Sequence, residues 1–293
     1  MTPAELLHHA EARLRAAGID DARLEAEVLL CHALGLTREA LFVRLHDSLD
    51  AEAQASCESL VRRRLAHEPA AYITGHKEFY GLDLACAPAA LIPRPETELL
   101  VDEALAYLQA QEPGTRNQEP GPLPSPRVVD VGTGNGAIAV AIAVHAPEAR
   151  IVAIDTSRAA LRLARQNAEA HGVAGRIDFF QGELLGPLRG AFDLVVANLP
   201  YVPTRLYEKL PPEIREHEPP AALHAGRRGT ALIERLLTGA PARLRPGGLL
   251  LAEHAWNQGP RLRDAARASF PDATIGTKRD LAGRERMLVV RTT

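Results

Sequence analysis

Four consecutive residues, Asn198-Leu199-Pro200-Tyr201, have the types needed to hold and alkylate a planar nitrogen. An amide or amino nitrogen is a poor nucleophile because its lone pair is delocalised. Two acceptors, the Asn198 side-chain oxygen and the Leu199 carbonyl, would bind its two N–H groups and turn the lone pair toward a methyl donor. Pro200 restricts Leu199 to extended backbone, which aims that carbonyl outward. Tyr201 offers a face on which a flat amide or base would stack. Asn198 and Tyr201 are therefore the candidate catalytic residues, with Leu199 and Pro200 completing the substrate cradle. The alternative is a strand-ending turn without chemistry, since Asn and Pro are common turn residues.

A second stretch supplies a place for the donor. Val128–Val131 reads as a buried strand, followed by Gly132-Thr133-Gly134-Asn135-Gly136 and an apolar helical run from Ala137. A strand that turns on glycines into a helix brings backbone N–H groups close to a ligand. The spacing is Gly-x-Gly-x-Gly, not the Gly-x-Gly-x-x-Gly of dinucleotide enzymes. Asp155 ends the next strand-like run, Arg150–Ile154, where a carboxylate would accept both hydroxyls of a ribose. Without a ligand the glycines would make only a tight turn; the acid at the neighbouring strand end favours a nucleoside-bearing cofactor.

The elements that position these residues follow from hydrophobic period. Residues 1 to about 70 read as a small helical bundle: a helix after Thr2-Pro3 with Leu6, Leu7, Ala10 and Leu14 inward, then helices capped by Asp20 or Asp21, by Thr37 and by Asp50. In the second of these Leu24, Val28, Leu29 and Cys31–Ala33 are expected inward, while Arg62-Arg63-Arg64 reads as a solvated face. Residues 71–93 alternate and carry glycines, so a hairpin linker is expected from Tyr72 onward. From 94 to 293 strands near 128–131, 150–154, 177–180, 192–197, 249–253, 273–275 and 287–290 alternate with helices, interrupted by a Pro/Gly-rich mobile loop at 112–126. The expected fold is α/β: a Rossmann-like, doubly wound, mostly parallel sheet with its ligand at the carboxyl ends of the strands.

Composition narrows the function classes. A chain of 293 residues, 46% hydrophobic and 24% charged, has ample core and is neither disordered nor membrane-like. Net charge is −3, so no global pull toward nucleic acid exists, and no stable nucleic-acid or membrane binding is expected. Cys31, Cys57 and Cys86 are far apart, odd in number and without metal-like spacing. With no signal-like start and no long apolar run, a cytoplasmic protein without a metal is expected.

Motifs beyond the two sites resemble one family across nearly the whole chain. Pro69-Ala-Ala-Tyr-Ile-Thr-Gly75, Glu78-Phe79-Tyr80-Gly81, Leu91-Ile-Pro-Arg-Pro-Glu-Thr-Glu98, Asp130–Ile138, Glu218-Pro219 and Leu251-Ala-Glu-His254 are similar to the HemK/PrmC family of S-adenosylmethionine-dependent N5-glutamine methyltransferases acting on class 1 peptide chain release factors. The resemblance implies a helical docking bundle and a methyltransferase domain. It implies Gly132–Gly136 for the methionine part of the cofactor, Asp155 for its ribose and Glu183-Leu184 beside its adenine. Asn198 would lie between cofactor and substrate. Two positions depart: Leu199 stands where the family has proline, and His217 where an aromatic is usual before Glu218-Pro219, so that loop receives no catalytic role. Asn-Leu-Pro-Tyr is also similar to the adenine dimethyltransferases of ribosomal RNA, which are the runner-up, and a methyltransferase fold used only as a binding scaffold is the third reading.

Overall fold

The computed structural model describes residues 1–110 and 125–293, so the Pro/Gly-rich loop expected at 112–126 lies almost wholly outside the described residues. The chain divides into two compact units, one of residues 1–76 with 211–217, the other of 77–210 with 218–293.

The first unit holds helices α1 (Pro3–Ala16), α2 (Ala22–Leu34), α3 (Arg38–Val43), α4 (Ala51–Leu65) and α5 (Ala70–Thr74), with Pro212–His217 (α10 in chain order). The Thr2 hydroxyl accepts from Glu5 N while the Glu5 carboxylate accepts from Thr2 N, a reciprocal cap that sets where α1 starts. Thr37 and Asp50 cap α3 and α4 with a single bond each, their side-chain oxygens accepting from Ala40 N and Ala53 N. Asp21 makes no cap bond. The inward face of α2 is Ala22, Ala26, Leu29 and Leu30, at helical spacing. Leu24 and Val28, expected inward, lie off that face and are 49% and 39% exposed. Tyr72–Thr74, expected as strand, is the short helix α5: Pro69 sits at its N-cap and Gly75, at φ +81°, ends it.

Arg64, expected on a solvated face, is instead buried at 3% exposure. Its Nε donates to Glu25 at 2.7 Å and its Nη2 to Glu213, so the guanidinium joins α2, α4 and the Pro212–His217 segment. Burial alone would lower its pKa, but the two glutamates raise it, and it stays a cation. Arg62 and Arg63 are exposed as expected.

The second unit opens with the hairpin β1 (His76–Phe79) and β2 (Leu82–Ala85) and a 3-10 turn, Pro95–Thr97, that leads into α6 (Glu98–Gln109). Then follow β3 (Arg127–Val131), α7 (Ala137–His145), β4 (Arg150–Asp155), α8 (Arg158–Ala170), β5 (Ile177–Gln181) and β6 (Phe192–Ala197). The short helix α9 (Thr204–Tyr207), then α11 (Ala231–Gly239), β7 (Leu244–Glu253), α12 (Gly259–Ser269), β8 (Thr274–Arg279) and β9 (Glu285–Arg291) complete it. Strand order is β5-β4-β3-β6-β7-β9-β8, parallel from β5 through β7, with β9 antiparallel to both neighbours.

Both faces of the sheet are covered, which is why its central strands are apolar without alternation. Val128, Leu194, Val196 and Leu251 pack with α6, α7 and the hairpin. Val129, Val131, Val195, Leu250 and Ala252 pack with α11 and α12. Among the described residues no helix is long and apolar enough to cross a membrane.

Removing the guanidinium would leave Glu25 and Glu213 facing each other. Arg64→Ala is expected to destabilise the first unit by about 2 kcal/mol, less than a fully buried pair because both carboxylates are partly solvated. Thermal denaturation checks this: an unchanged melting temperature would show that the ion pairs contribute nothing.

Candidate functional site

Parallel pairing places the site residues in one row. Val131 is in register with Ile154 on β4 and with Ala197 on β6, and Ala197 with Ala252 on β7. The next residue on each strand is Asp155, Gly132, Asn198 and Glu253, so four neighbouring strands deliver their site residues at one level. The row crosses the switch between β3 and β6, where chain progression along the sheet reverses and such folds open a ligand crevice.

A cavity of about 330 Å³ lies there. Its walls include Gly132, Thr133, Gly134, Asn135, Asp155, Glu183, Leu184, Asn198, Leu199 and Pro200. Gly136 is not on the wall: a Cβ at Gly136 would meet Ala164 at 3.0 Å, so this glycine lets α7 pack closely on α8. Gly132 and Gly134 have φ of +76° and +58°, which reserves these positions for glycine. A Cβ on Gly132 would meet the Leu199 side chain at 2.9 Å, so the two halves of the site touch through that residue.

Each Asp155 oxygen accepts one backbone N–H: Oδ2 from Gly134 at 3.0 Å and Oδ1 from Ser157 at 2.8 Å. A carboxylate oxygen has two acceptor directions, so one remains on each for a ribose hydroxyl. Glu183 is bound bidentately by Arg235 at 2.8 Å on both oxygens, which lowers its pKa and leaves a neutralised pair at the rim. Leu184 beside it has φ +51°, a strained conformation for a residue with a Cβ. The Asn135 side chain is held by the protein: its amide nitrogen donates to Ala85 O, and its oxygen accepts from Ala137 N. Asn167 on α8 braces it from behind, donating to Asn135 O at 2.8 Å.

Asn198 and Tyr201 are set differently. Asn198 faces the cavity with its Nδ2 donating to Thr97 Oγ1 at 2.9 Å. Tyr201 is not among the wall residues; its hydroxyl donates to buried Glu253 at 2.9 Å, and its ring packs against the core under α11. Burial and the Glu253 carboxylate together raise the Tyr201 pKa, so the phenol remains a donor.

Several residues around the site stand in motifs that the sequence displayed but to which it assigned no role. Glu218, buried at 3%, forms an ion pair with Arg94 and accepts from Ile92 N at 3.1 Å, so it binds the Leu91–Glu98 segment along the cavity wall. His217 stands apart, near Ala66 O at 3.3 Å. Asp130 is fully buried behind the glycine turn; its Oδ2 accepts from Thr133 Oγ1 at 2.6 Å and Ala139 N at 3.2 Å, while Oδ1 has no protein partner. Burial is the largest influence on it, partly offset by those bonds, and pushes its pKa up to about 7.

Comparison with known proteins bears on both units. The PrmC N-terminal domain family matches residues 5–75, and the Methyltransferase small domain family residues 118–209. The release factor glutamine methyltransferase of Moorella thermoacetica is 42% identical over 98% of this chain and 97% of its own length. That of Deinococcus radiodurans is 39% identical over the same shares. Among solved structures, the hMettl16 catalytic domain in complex with MAT2A 3'UTR hairpin 1 aligns at a TM-score of 0.56 and 15% identity, covering 82% of this chain and 83% of that one. At that identity the likeness shows the methyltransferase fold alone.

Between its ordinary 3.8 and about 7, Asp130 keeps its proton in the folded chain and loses it in the unfolded one. Stability should therefore fall as pH rises through that window, by no more than about 1.4 kcal/mol per pH unit. Asp130→Asn removes this titration, so the variant should gain on the parent from about pH 5 to pH 7. Urea unfolding at several pH values measures it, and parallel curves for the two proteins would contradict it.

Proposed function

The chain belongs to the release factor glutamine methyltransferase family, and we propose that it transfers a methyl group from S-adenosylmethionine to the side-chain amide nitrogen, N5, of the glutamine in the Gly-Gly-Gln motif of class 1 peptide chain release factors. The observation that carries this reading is the row at the strand ends. It sets a nucleoside-type cradle (Gly132, Gly134, Asp155) directly beside an amide-type cradle (Asn198, Leu199, Pro200) in one cavity.

The residues present fit the cofactor. Asp155 would hold the ribose hydroxyls, the backbone of Gly132–Gly134 the methionine end, and Leu184 an edge of the adenine. The unpartnered Asp130 Oδ1 leaves a buried polar group behind the turn. When bound, S-adenosylmethionine supplies an electrophilic methyl group.

Asn198 Oδ1 and the Leu199 carbonyl accept the two N–H groups of the substrate amide and turn its lone pair toward that methyl. The nitrogen gives up amide resonance as it forms the N–C bond, and once alkylated it is acidic enough to pass a proton to water. No general base is required, and the rate gain comes from alignment and fixed dipoles. Leu199 keeps the carbonyl that the family proline would present. Tyr201 serves this reading through its backbone and its tether to Glu253; a stacking role for its ring is not favoured by its position off the cavity wall. A release factor substrate also accounts for a cytoplasmic setting, with Cys31, Cys57 and Cys86 free.

Mass spectrometry of a release factor incubated with enzyme and cofactor tests the reading. One added methyl is expected on the Gly-Gly-Gln peptide, none on a Gln→Asn variant and none on ribosomal RNA; label on the RNA alone would transfer the assignment to nucleic-acid methylation. Asp155→Ala should weaken S-adenosylmethionine binding by about 1.5–3 kcal/mol, since charge-assisted bonds are lost. Calorimetry of a folded variant with parental affinity would remove Asp155 from the site. Asn198→Ala should lower turnover by about 10²-fold with little change in cofactor affinity. Leu199→Pro should keep most activity, and equal turnover for parent and Asn198→Ala would refute the alignment mechanism.

A further inference from the structure

The Leu91–Glu98 segment and the Leu251–His254 strand end have distinctive sequences, yet the mechanism above uses neither. They meet at a buried chain of hydrogen bonds. Asn198 Nδ2 lies 2.9 Å from Thr97 Oγ1, Thr97 Oγ1 lies 2.8 Å from Glu253 Oε2, and Tyr201 Oη lies 2.9 Å from Glu253 Oε1. Thr97 is 4% exposed and Glu253 2%. From these we infer that Thr97 and Glu253 are positioning residues that fix which end of the Asn198 amide faces the substrate.

Hydrogen-bond arithmetic gives the direction. Burial raises the Glu253 pKa, while the bonds from Thr97 and Tyr201 and the charge of Arg286 favour its ionised form. As a carboxylate it only accepts, and a threonine hydroxyl has one proton to give. With Tyr201 donating to one oxygen of Glu253, the Thr97 proton goes to the other. The Thr97 oxygen is then left as an acceptor, and only the NH2 end of Asn198 satisfies it. An asparagine amide is nearly symmetrical in shape, so packing alone would not choose between its two orientations. The chain of donors does choose, and it leaves Oδ1 facing the cavity as an acceptor. A flipped amide would present N–H groups to a substrate that itself brings N–H groups, an unpaired encounter in a desolvated site.

Backbone geometry leaves the Thr97 side chain available for this. Thr97 ends the Pro95–Thr97 turn with helical φ and ψ and runs directly into α6, so its hydroxyl makes no cap bond. The hydroxyl is turned inward to Glu253. Register supplies the rest: Glu253 follows Ala252, the partner of Ala197, and therefore stands beside Asn198.

The inference rests on the amide-alkylation reading, and its tests separate the two. The first needs no substrate. In the parent, the Asn198 side-chain NH2, assigned by its loss in Asn198→Asp, should show one proton protected from exchange with water. In Thr97→Val that protection should vanish. Equal exchange of both protons in the parent, or protection that survives Thr97→Val, would overturn the inference whatever the enzyme methylates.

The second uses release factor and cofactor. Thr97→Val should lower kcat about tenfold with cofactor affinity within about twofold of the parent, and Thr97→Ser should restore it. Glu253→Leu provides the independent variant. It removes both acceptor oxygens, so the Thr97 proton is no longer directed away from Asn198 and the amide loses its fixed orientation. A loss of kcat like that of Thr97→Val is expected. Parental kcat in either folded variant, or losses confined to cofactor affinity, would overturn the assignment. A parent that leaves release factor unmethylated would instead strike the reading of the substrate, with the exchange measurement still deciding the orientation.

Discussion

Parallel register is the constraint on which the rest of the second unit depends. Because β4, β3, β6 and β7 pair without offset at their carboxyl ends, Asp155, Gly132, Asn198 and Glu253 follow the last paired residues at the same level. Parallel neighbours lie about 4.8 Å apart, so the row brings these four residues to adjacent positions without any long loop. A one-residue slip on any strand would turn its apolar residues to the wrong face and bury its polar end. The two apolar layers therefore hold the chemistry in line: α6 and α7 against one face, α11 and α12 against the other.

A row of strand ends gives positions but not orientations, and the surrounding loops provide those. Gly134 N anchors one oxygen of Asp155, and Ser157 N anchors the other. Asn167 and Asn135 lock the glycine turn to the end of the hairpin at Ala85. Glu218 fastens the Leu91–Glu98 segment beside the cavity through Arg94 and Ile92. These side chains are buried or half-buried and hydrogen-bonded; among the described residues the buried side-chain atoms without a partner are Asp130 Oδ1 and His254 Nε2. Satisfied polar networks of this kind hold geometry better than apolar contact alone.

What the sequence made legible follows from the range over which its signals act. The glycine turn, the acid at 155 and the Asn-Leu-Pro-Tyr run are local patterns, and the structure sets residues from all three on one cavity. The strands were readable for the same reason, since covered faces demand unbroken apolar runs. Long-range partners were not readable. Nothing local in Leu251-Ala-Glu-His254 says that Glu253 will reach Thr97, or in Glu218-Pro219 that its carboxylate will meet Arg94. Arg64 was misread because three consecutive arginines point in different directions on a helix; Arg62 and Arg63 reach outward carboxylates while Arg64 turns into the bundle. Leu24 and Val28 were misread because side-chain type was given more weight than helical phase.

The excursion of residues 211–217 into the first unit adds a constraint that local patterns also missed. From Tyr201 the chain passes through α9, enters the helical unit at Pro211 and returns to the second unit at Glu218. Within the second unit the Tyr201 backbone carbonyl accepts from Gln258 Nε2 at 2.9 Å, and Glu218 holds Ile92. Within the first unit Arg64 holds Glu213. Each anchor restricts the residues beside it, and that loss of freedom is met in folding. Without residues 1–70, Glu213 would lose Arg64, so the 211–217 segment depends on the helical unit for its own order.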